Sequence, residues 1–414
     1  MRPHATFLRR GLLAVAAVVA PVLACEPDAA PTGLTAPLTP SRSAATTGDL
    51  ASPGWQAIEA NLVAQANLAA VVSTRAYSLL GVAQYLAVQR AEGSRRDGRS
   101  SGDGSDAGAV AGASATVLSY LFPAHAQALE DTVKAHRSTG PGFARGEVIG
   151  RAVGAEIVAR AAADGFATPF SGTIPVGPGL WISNTTPATI AGGPLPGARP
   201  WFLKSARQFR PGRPPAFGSA DFLAALAEIR HIADTRTTEQ IEIATVWAQG
   251  VGTPTTAGFW LQVATDGINS HRLSERQATH LYALLSASMF DAQIGCWDAK
   301  ETYWFIRPWQ ADPGITVVAA VGKPNHPSYP SGHSCISSSA GEVLGAFFPK
   351  DRKRLDAMVS EAGLSRMYGG IHYRFDIEAG QRLGRSVARF TLRADRSGHS
   401  VLTPDDDNER HGGR

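Results

Sequence analysis

Three clusters in the last third of this 414-residue chain carry the side chains of oxyanion chemistry. In the first, K-E-T-Y-W-F-I-R-P, Lys300 and Arg307 stand seven residues apart. On a continuous helix that spacing is close to two turns, so both cations would face one way, and Pro308 disfavours a helical Arg307 and ends the element there. The second, P-S-Y-P-S-G-H-S-C, puts Ser331, Gly332 and His333 on a proline-punctuated turn that runs into an apolar segment. Ser331 suits a helix N-cap, Gly332 admits an anion close to the backbone, and a helix N-terminus offers unsatisfied N–H groups with a partial positive charge. In the third, S-R-M-Y-G-G-I-H-Y-R-F-D, His372 and Asp376 are four apart, within contact distance on a helix. A carboxylate there fixes the tautomer of the ring and leaves its other nitrogen free as nucleophile or ligand. Gly369–Gly370 supplies a turn that could bring Arg366 back beside His372. Each cluster alone also has a plain structural reading: two surface cations, a serine cap, a helix-surface His–Asp pair.

Together, in the order Lys-x6-Arg-Pro, Pro-Ser-Gly-His and Ser-Arg-x5-His-x3-Asp, the clusters resemble the signature of the type 2 phosphatidic acid phosphatases and vanadium-dependent haloperoxidases, without a departure in the three blocks. The resemblance is tightest over Thr279–Asp376 and looser upstream, through R-T-T-E-Q-I-E-I-A-T-V-W. Roughly the first 170 residues are supported by helical character alone. The resemblance implies that Lys300, Arg307 and Arg366 bind the non-bridging oxygens of phosphate or vanadate, with Ser331 Oγ and the Gly332 N–H completing the cradle. It implies His372 as the axial vanadium ligand of a peroxidase or the phosphohistidine-forming nucleophile of a phosphatase, His333 as general acid–base and Asp376 as the group that orients His372. Fixed cations and backbone donors suit both a tetrahedral oxyanion and the trigonal-bipyramidal species that follows attack.

Two further positions lean toward the peroxidase branch. Trp297, three before Lys300, matches a tryptophan typical of haloperoxidases near the vanadate. His326, seven before His333, falls where chloride-oxidising members carry an aromatic residue and bromide-oxidising members a histidine. Their plain readings are a core aromatic and a loop residue before Pro327. The implied function is vanadate-dependent oxidation of halide, bromide favoured, by hydrogen peroxide. The alternative is a soluble acid phosphatase hydrolysing phosphomonoesters without a cofactor. A third reading, a non-catalytic oxyanion-binding lipoprotein, is disfavoured, because a pure binder needs neither His333 nor the His372–Asp376 pair.

Helices must position these groups. Apolar residues recur at helical spacing from Trp55, Ile58 and Leu62 on through Ala76–Gln89, at Ile149, Val153, Ile157 and Ala161, and at Leu281, Leu284, Leu285 and Met289. Strand-like alternation is scarce, so the expected fold is all-α, a helical bundle of the haloperoxidase and acid phosphatase type, as one domain over 55–395 with its site at 279–376. A polar loop is expected over Gly93–Gly108. The Pro/Gly-rich stretch Gly165–Gly218, with Trp181 and Trp201 in it, lacks periodicity and is expected to drape over the core.

The ends read differently. Residues 1–24 have the basic start and apolar run of an export signal, followed at once by Cys25, a lipobox-like arrangement in which Cys25 would carry a lipid. Residues 25–54 read as a Pro/Thr/Ala-rich tether and 396–414 as a polar tail. An exported protein follows, periplasmic or held in the cell envelope by that lipid, otherwise secreted. A net charge of +4 without a Lys/Arg stripe argues against nucleic acid. Small molecules are the expected partners, and a homo-oligomer is compatible with the sequence. Cys296 and Cys335 are either a disulfide or two separate buried thiols. His231, His271, His280 and His399 have no metal-ligand spacing.

Overall fold

The computed structural model describes residues 50–94, 104–137, 140–398 and 400–402. The expected export signal, Cys25, the expected tether up to residue 49, His399 and residues 403–414 lie outside the described residues.

Among the described residues the regular structure is helical, as the periodicity predicts, apart from one isolated extended bridge between Leu180 and Phe305. The helices run α1 (Ala51–Gln65), α2 (Ala70–Gly93), α3 (Ser105–Leu121), α4 (Ala126–His136) and α5 (Phe143–Ala162), then, after a long irregular segment, α6 (Ala220–Thr235), α7 (Thr238–Val246), α8 (Thr255–His271) and α9 (Glu275–Tyr303). The short α10 (Pro308–Ala311) precedes α11 (Gly332–Phe347), α12 (Arg352–Tyr368) and α13 (Arg374–Arg396). No described helix is long and apolar enough to cross a membrane.

Local chemistry sets several of these boundaries. The periodic run from Trp55 to Gln89 is two helices, because Asn67 adopts φ 52 between α1 and α2. Helix α1 takes in the last four residues of the stretch 25–54, burying Ser52, and α3 takes in the last four of Gly93–Gly108. Helix α9 opens with a capping box: Ser274 Oγ accepts from Gln277 N, while Gln277 Oε1 accepts from Ser274 N at 2.9 Å. Its 29 residues are buried on nearly every face, which marks it as the central pillar against which α2, α11 and α13 pack.

The irregular segment 166–218 does drape over this core. Its anchor is Asp291 on α9, whose buried carboxylate accepts from the backbone N–H of Trp201, Phe202 and Leu203 at 2.8, 2.8 and 3.0 Å. Burial pushes that carboxyl up to about 6 even so. Farther along, Trp181 N donates to Trp304 O at 2.7 Å and Ile306 N to Gly179 O at 3.0 Å. The segment is thereby stitched to the strand-like turn that follows α9.

Candidate active site

Lys300 and Arg307 converge, though not on one helix. Helix α9 stops at Tyr303, four residues before Arg307, because Trp304 takes left-handed backbone angles (φ 47) that no helix continues. The reversal turns Arg307 back toward the pillar. Lys300 is fully buried, and its ammonium donates to the carbonyl oxygens of Pro327, Ser328 and Pro330 at 2.7, 3.0 and 2.6 Å. All three of its protons are used in holding the loop before α11. Burial lowers its pKa below the usual lysine range.

That loop delivers the second cluster. Ser331 is the N-cap of α11, its Oγ accepting from Ser334 N at 3.4 Å, and Ser331 N donates to Asp376 O at 3.0 Å. Gly332 is the first residue of the helix, where backbone N–H groups have no intrahelical acceptor. His333 follows, and its Nε2 lies 2.9 Å from Trp247 O and 3.1 Å from Thr256 Oγ1. Burial, followed by the charge of Arg366, holds its pKa well below the usual histidine range.

The third cluster also forms by an unexpected route. His372 is not helical: it stands two residues before α13, after a turn at Gly370 (φ 76). Asp376 is the third residue of α13, and its Oδ2 collects donors at the helix entrance: His372 Nδ1 at 2.8 Å, Ser328 Oγ at 2.6 Å and Tyr373 N at 3.1 Å. The His–Asp pair is therefore made by helix-cap geometry and not by a shared helix face. Arg307 completes it. Its Nη1 donates to Ile371 O at 2.7 Å and lies 3.0 Å from His372 Nε2. A guanidinium only donates, so Nε2 is the bare nitrogen and Nδ1 carries the proton toward Asp376. Burial and the neighbouring Arg307 and Lys300 hold His372 neutral, its pKa well below the ordinary value. Arg366, at the end of α12, is 1 % exposed and donates to Ser365 Oγ and Ala244 O at 2.9 and 3.0 Å.

The electrostatics of this cluster are unbalanced. Lys300, Arg307 and Arg366 are all buried, and among the described residues no carboxylate forms an ion pair with any of them. Asp376 is spent on His372. Burial pulls Arg307 down to about 10 and Arg366 to about 9. A buried cation without an ion-pair partner costs several kcal/mol, a cost that a bound anion would offset.

Residues 279–397 match the family model of the PAP2 superfamily. They are a PAP2 superfamily domain. The chain is 31% identical over 124 residues to a non-specific acid phosphatase of Providencia stuartii, covering 29% of this chain and 49% of that protein. The chain thus spans about half the length of the curated relative it matches. Similarity of fold reaches much farther. A bacterial vanadium-dependent iodoperoxidase superposes with a TM-score of 0.70 at 24% identity, over 83% of this chain and 96% of that one. The holo form of a bacterial vanadium-dependent chloroperoxidase does so with a TM-score of 0.62 at 13% identity, over 78% and 92%.

Flanking residues close the site of the PAP2 domain on one side. His326 Nδ1 lies 3.0 Å from Arg307 Nη2, and Arg307 Nε donates to His326 O at 3.0 Å. Trp297 packs on the His326 ring, centroids 4.9 Å apart, and donates from Nε1 to Ala191 O at 2.8 Å. Both are thus in contact with the cluster and with each other. Gly192 permits the approach of the draped segment: a Cβ there would lie 2.3 Å from Trp297 Nε1. Cys296 and Cys335 are free, buried thiols, each perturbed by the other.

The structure brings the residues of the three blocks together, and it adds Trp247 and Thr256, which hold His333 and which sequence reasoning missed. Trp247 ends the segment R-T-T-E-Q-I-E-I-A-T-V-W, so its neighbourhood had a signal. Thr256 lies beyond that segment and had none.

Proposed function

We propose that this protein is a vanadate-dependent haloperoxidase, oxidising halide with hydrogen peroxide, bromide favoured. One observation carries the proposal: His326, backed by Trp297, lies directly against Arg307, which itself touches His372 Nε2. A hydrogen-bonding histidine on the cation beside the reacting nitrogen offers an added polar contact for an incoming anion or peroxide that phosphate hydrolysis does not require. The similarity of fold to vanadium-dependent iodo- and chloroperoxidases over most of the chain supports the reading.

The residues fit vanadate. The bare Nε2 of His372 would serve as its ligand, and the buried cations without ion-pair partners would suit the oxyanion's negative charge. When bound, vanadate supplies a Lewis acid that activates peroxide toward halide. The chain's own residues do the rest. Asp376 holds the His372 ring by Nδ1–H and keeps its Nε2 available. Arg307, Arg366 and the first N–H groups of α11 neutralise charge on the bound oxygens. Lys300 contributes positive potential and pins Pro327–Pro330, and a direct bond to an oxygen requires release of one carbonyl. His333 exchanges protons with what is bound.

The second reading, phosphomonoester hydrolysis, is favoured by the identity to the acid phosphatase. The same His372 Nε2 would attack phosphorus, and His333 would protonate the leaving alkoxide. The discriminating experiment is paired assays on the purified protein. Bromination of a dye that depends on added vanadate supports the peroxidase. Absence of turnover with chloride, bromide and iodide, together with aryl phosphate hydrolysis inhibited by vanadate, replaces it with the phosphatase.

A further inference from the structure

His333 is held from outside the PAP2 segment. Its two Nε2 neighbours, the Trp247 carbonyl and the Thr256 hydroxyl, precede residue 279. A carbonyl only accepts, so Nε2 carries the proton and Nδ1 is the bare nitrogen. His372 has the reverse arrangement, Nδ1–H toward Asp376 and Nε2 bare. The site therefore sets His372 and His333 in opposite tautomers, one by a carboxylate and the other by a carbonyl with a hydroxyl.

The turn that delivers Thr256 is built at a cost. Thr255 adopts φ 66, a left-handed angle that is a true outlier for a β-branched residue and costs on the order of 1–3 kcal/mol. The surroundings over-determine it. Thr255 N donates to Thr253 Oγ1 at 3.0 Å, Thr255 Oγ1 pairs with Ser73 Oγ at 2.8 Å, and Tyr77 OH donates to Pro254 O at 2.8 Å. Thr255 and Thr256 are both buried. Gly258, one turn on, leaves room for Tyr77, since a Cβ there would lie 2.5 Å from its hydroxyl. Strain of this size, locked by three contacts from α2 and its own turn, sits where one hydroxyl meets the ring of His333.

We infer that Thr256 is a positioning residue for His333: its hydroxyl and the Trp247 carbonyl hold the imidazole by Nε2–H and leave Nδ1 as the nitrogen that exchanges protons. The inference rests on His333 being the acid–base group of the proposed site, whichever of the two chemistries runs there.

Two measurements on the full chain test it. Nitrogen-15 spectra of histidine-labelled protein without vanadate, with His333 assigned by its loss in His333→Gln, are expected to show the Nε2–H tautomer. Thr256→Val should perturb that signal and lower kcat about tenfold, the worth of one buried hydrogen bond, with KM within about twofold. Thr256→Ser should restore both, which a purely structural role of the methyl group would not allow. A wild-type His333 protonated on Nδ1 overturns the inference. So does Thr256→Val with an unchanged spectrum, or Thr256→Ser behaving as Thr256→Val. If neither activity is found, the proposed function fails while the spectra still decide the tautomer and the part Thr256 plays in it.

Discussion

The α3–α5 pair and the PAP2 site hold their elements together by opposite means. Between α3 and α5 side chains are removed. A Cβ at Gly146 or Gly150 would lie 1.9 or 2.1 Å from the carbonyl oxygens of Ser105 or Ala109, and at Gly108 or Gly112 2.1 or 2.3 Å from those of Phe143 or Glu147. Glycines four apart on both helices let the backbones touch. At the site, long cations are inserted instead and tied to backbone carbonyl oxygens: Lys300 to three in a loop, Arg307 to two in loops and Arg366 to one on α7. The first arrangement gains dispersion contact at no electrostatic cost. The second carries buried charge whose desolvation those carbonyls only partly offset. Stability in this molecule should therefore be separable from chemistry, region by region.

The largest expected effect is on the chemical side. His372→Ala removes the bare Nε2, and activity in either reading should fall by at least about 10³-fold, with the melting temperature changed by a few degrees at most. Loss of the ring also frees Arg307 Nη1 from one contact while Ile371 O still holds it. Retention of activity within about tenfold would break the assignment of this histidine and with it the separation of the two regions.

Gly150→Ala probes the other side. Its new Cβ has no rotamer to escape into, being 2.1 Å from Ala109 O and 2.8 Å from Ala113 N. The helices must part, and unfolding in urea should show a loss of about 1–3 kcal/mol. Turnover per folded molecule should stay at the wild-type value. Equal stability of the variant and wild type would show that the close approach of α3 and α5 is not what holds them.

How much of this was legible in sequence depends on what each residue uses to act. The three blocks were readable because side-chain identity is their function, and so was the all-α class, because its period is written in apolar residues. Their conformational basis was not. Lys300 and Arg307 suggested one helix face, yet the left-handed Trp304 breaks α9 between them. His372 and Asp376 suggested another, yet a capping geometry joins them. In both cases the spacing constrained proximity and left open how the backbone achieves it. Trp247 acts on His333 through its carbonyl, a group every residue has, so composition is silent about it. Its indole is committed elsewhere, donating to Glu361 Oε1 at 2.8 Å.

Glu59 gives the smallest effect and the sharpest form of the comparison. It lies on α1, is 0% exposed, and neither carboxyl oxygen has a hydrogen-bond partner among the described residues. Burial pushes its pKa well above the ordinary value. Where the site cations are charged and solvated by carbonyls, this acid avoids the cost by remaining protonated. A folded pKa above the unfolded one means that its contribution is fully present below the unfolded value, about 4.5, and is lost as pH rises through the folded one. Glu59→Gln removes that titration. Raising the pH above the unfolded value should cost the wild type unfolding free energy that it does not cost the variant, while other groups cancel between the two. Activity should be unaffected, since α1 is not among the elements that supply the site. Parallel pH dependences would mean that Glu59 is ionised in the folded protein, and a partner for it around α1 would have to be found.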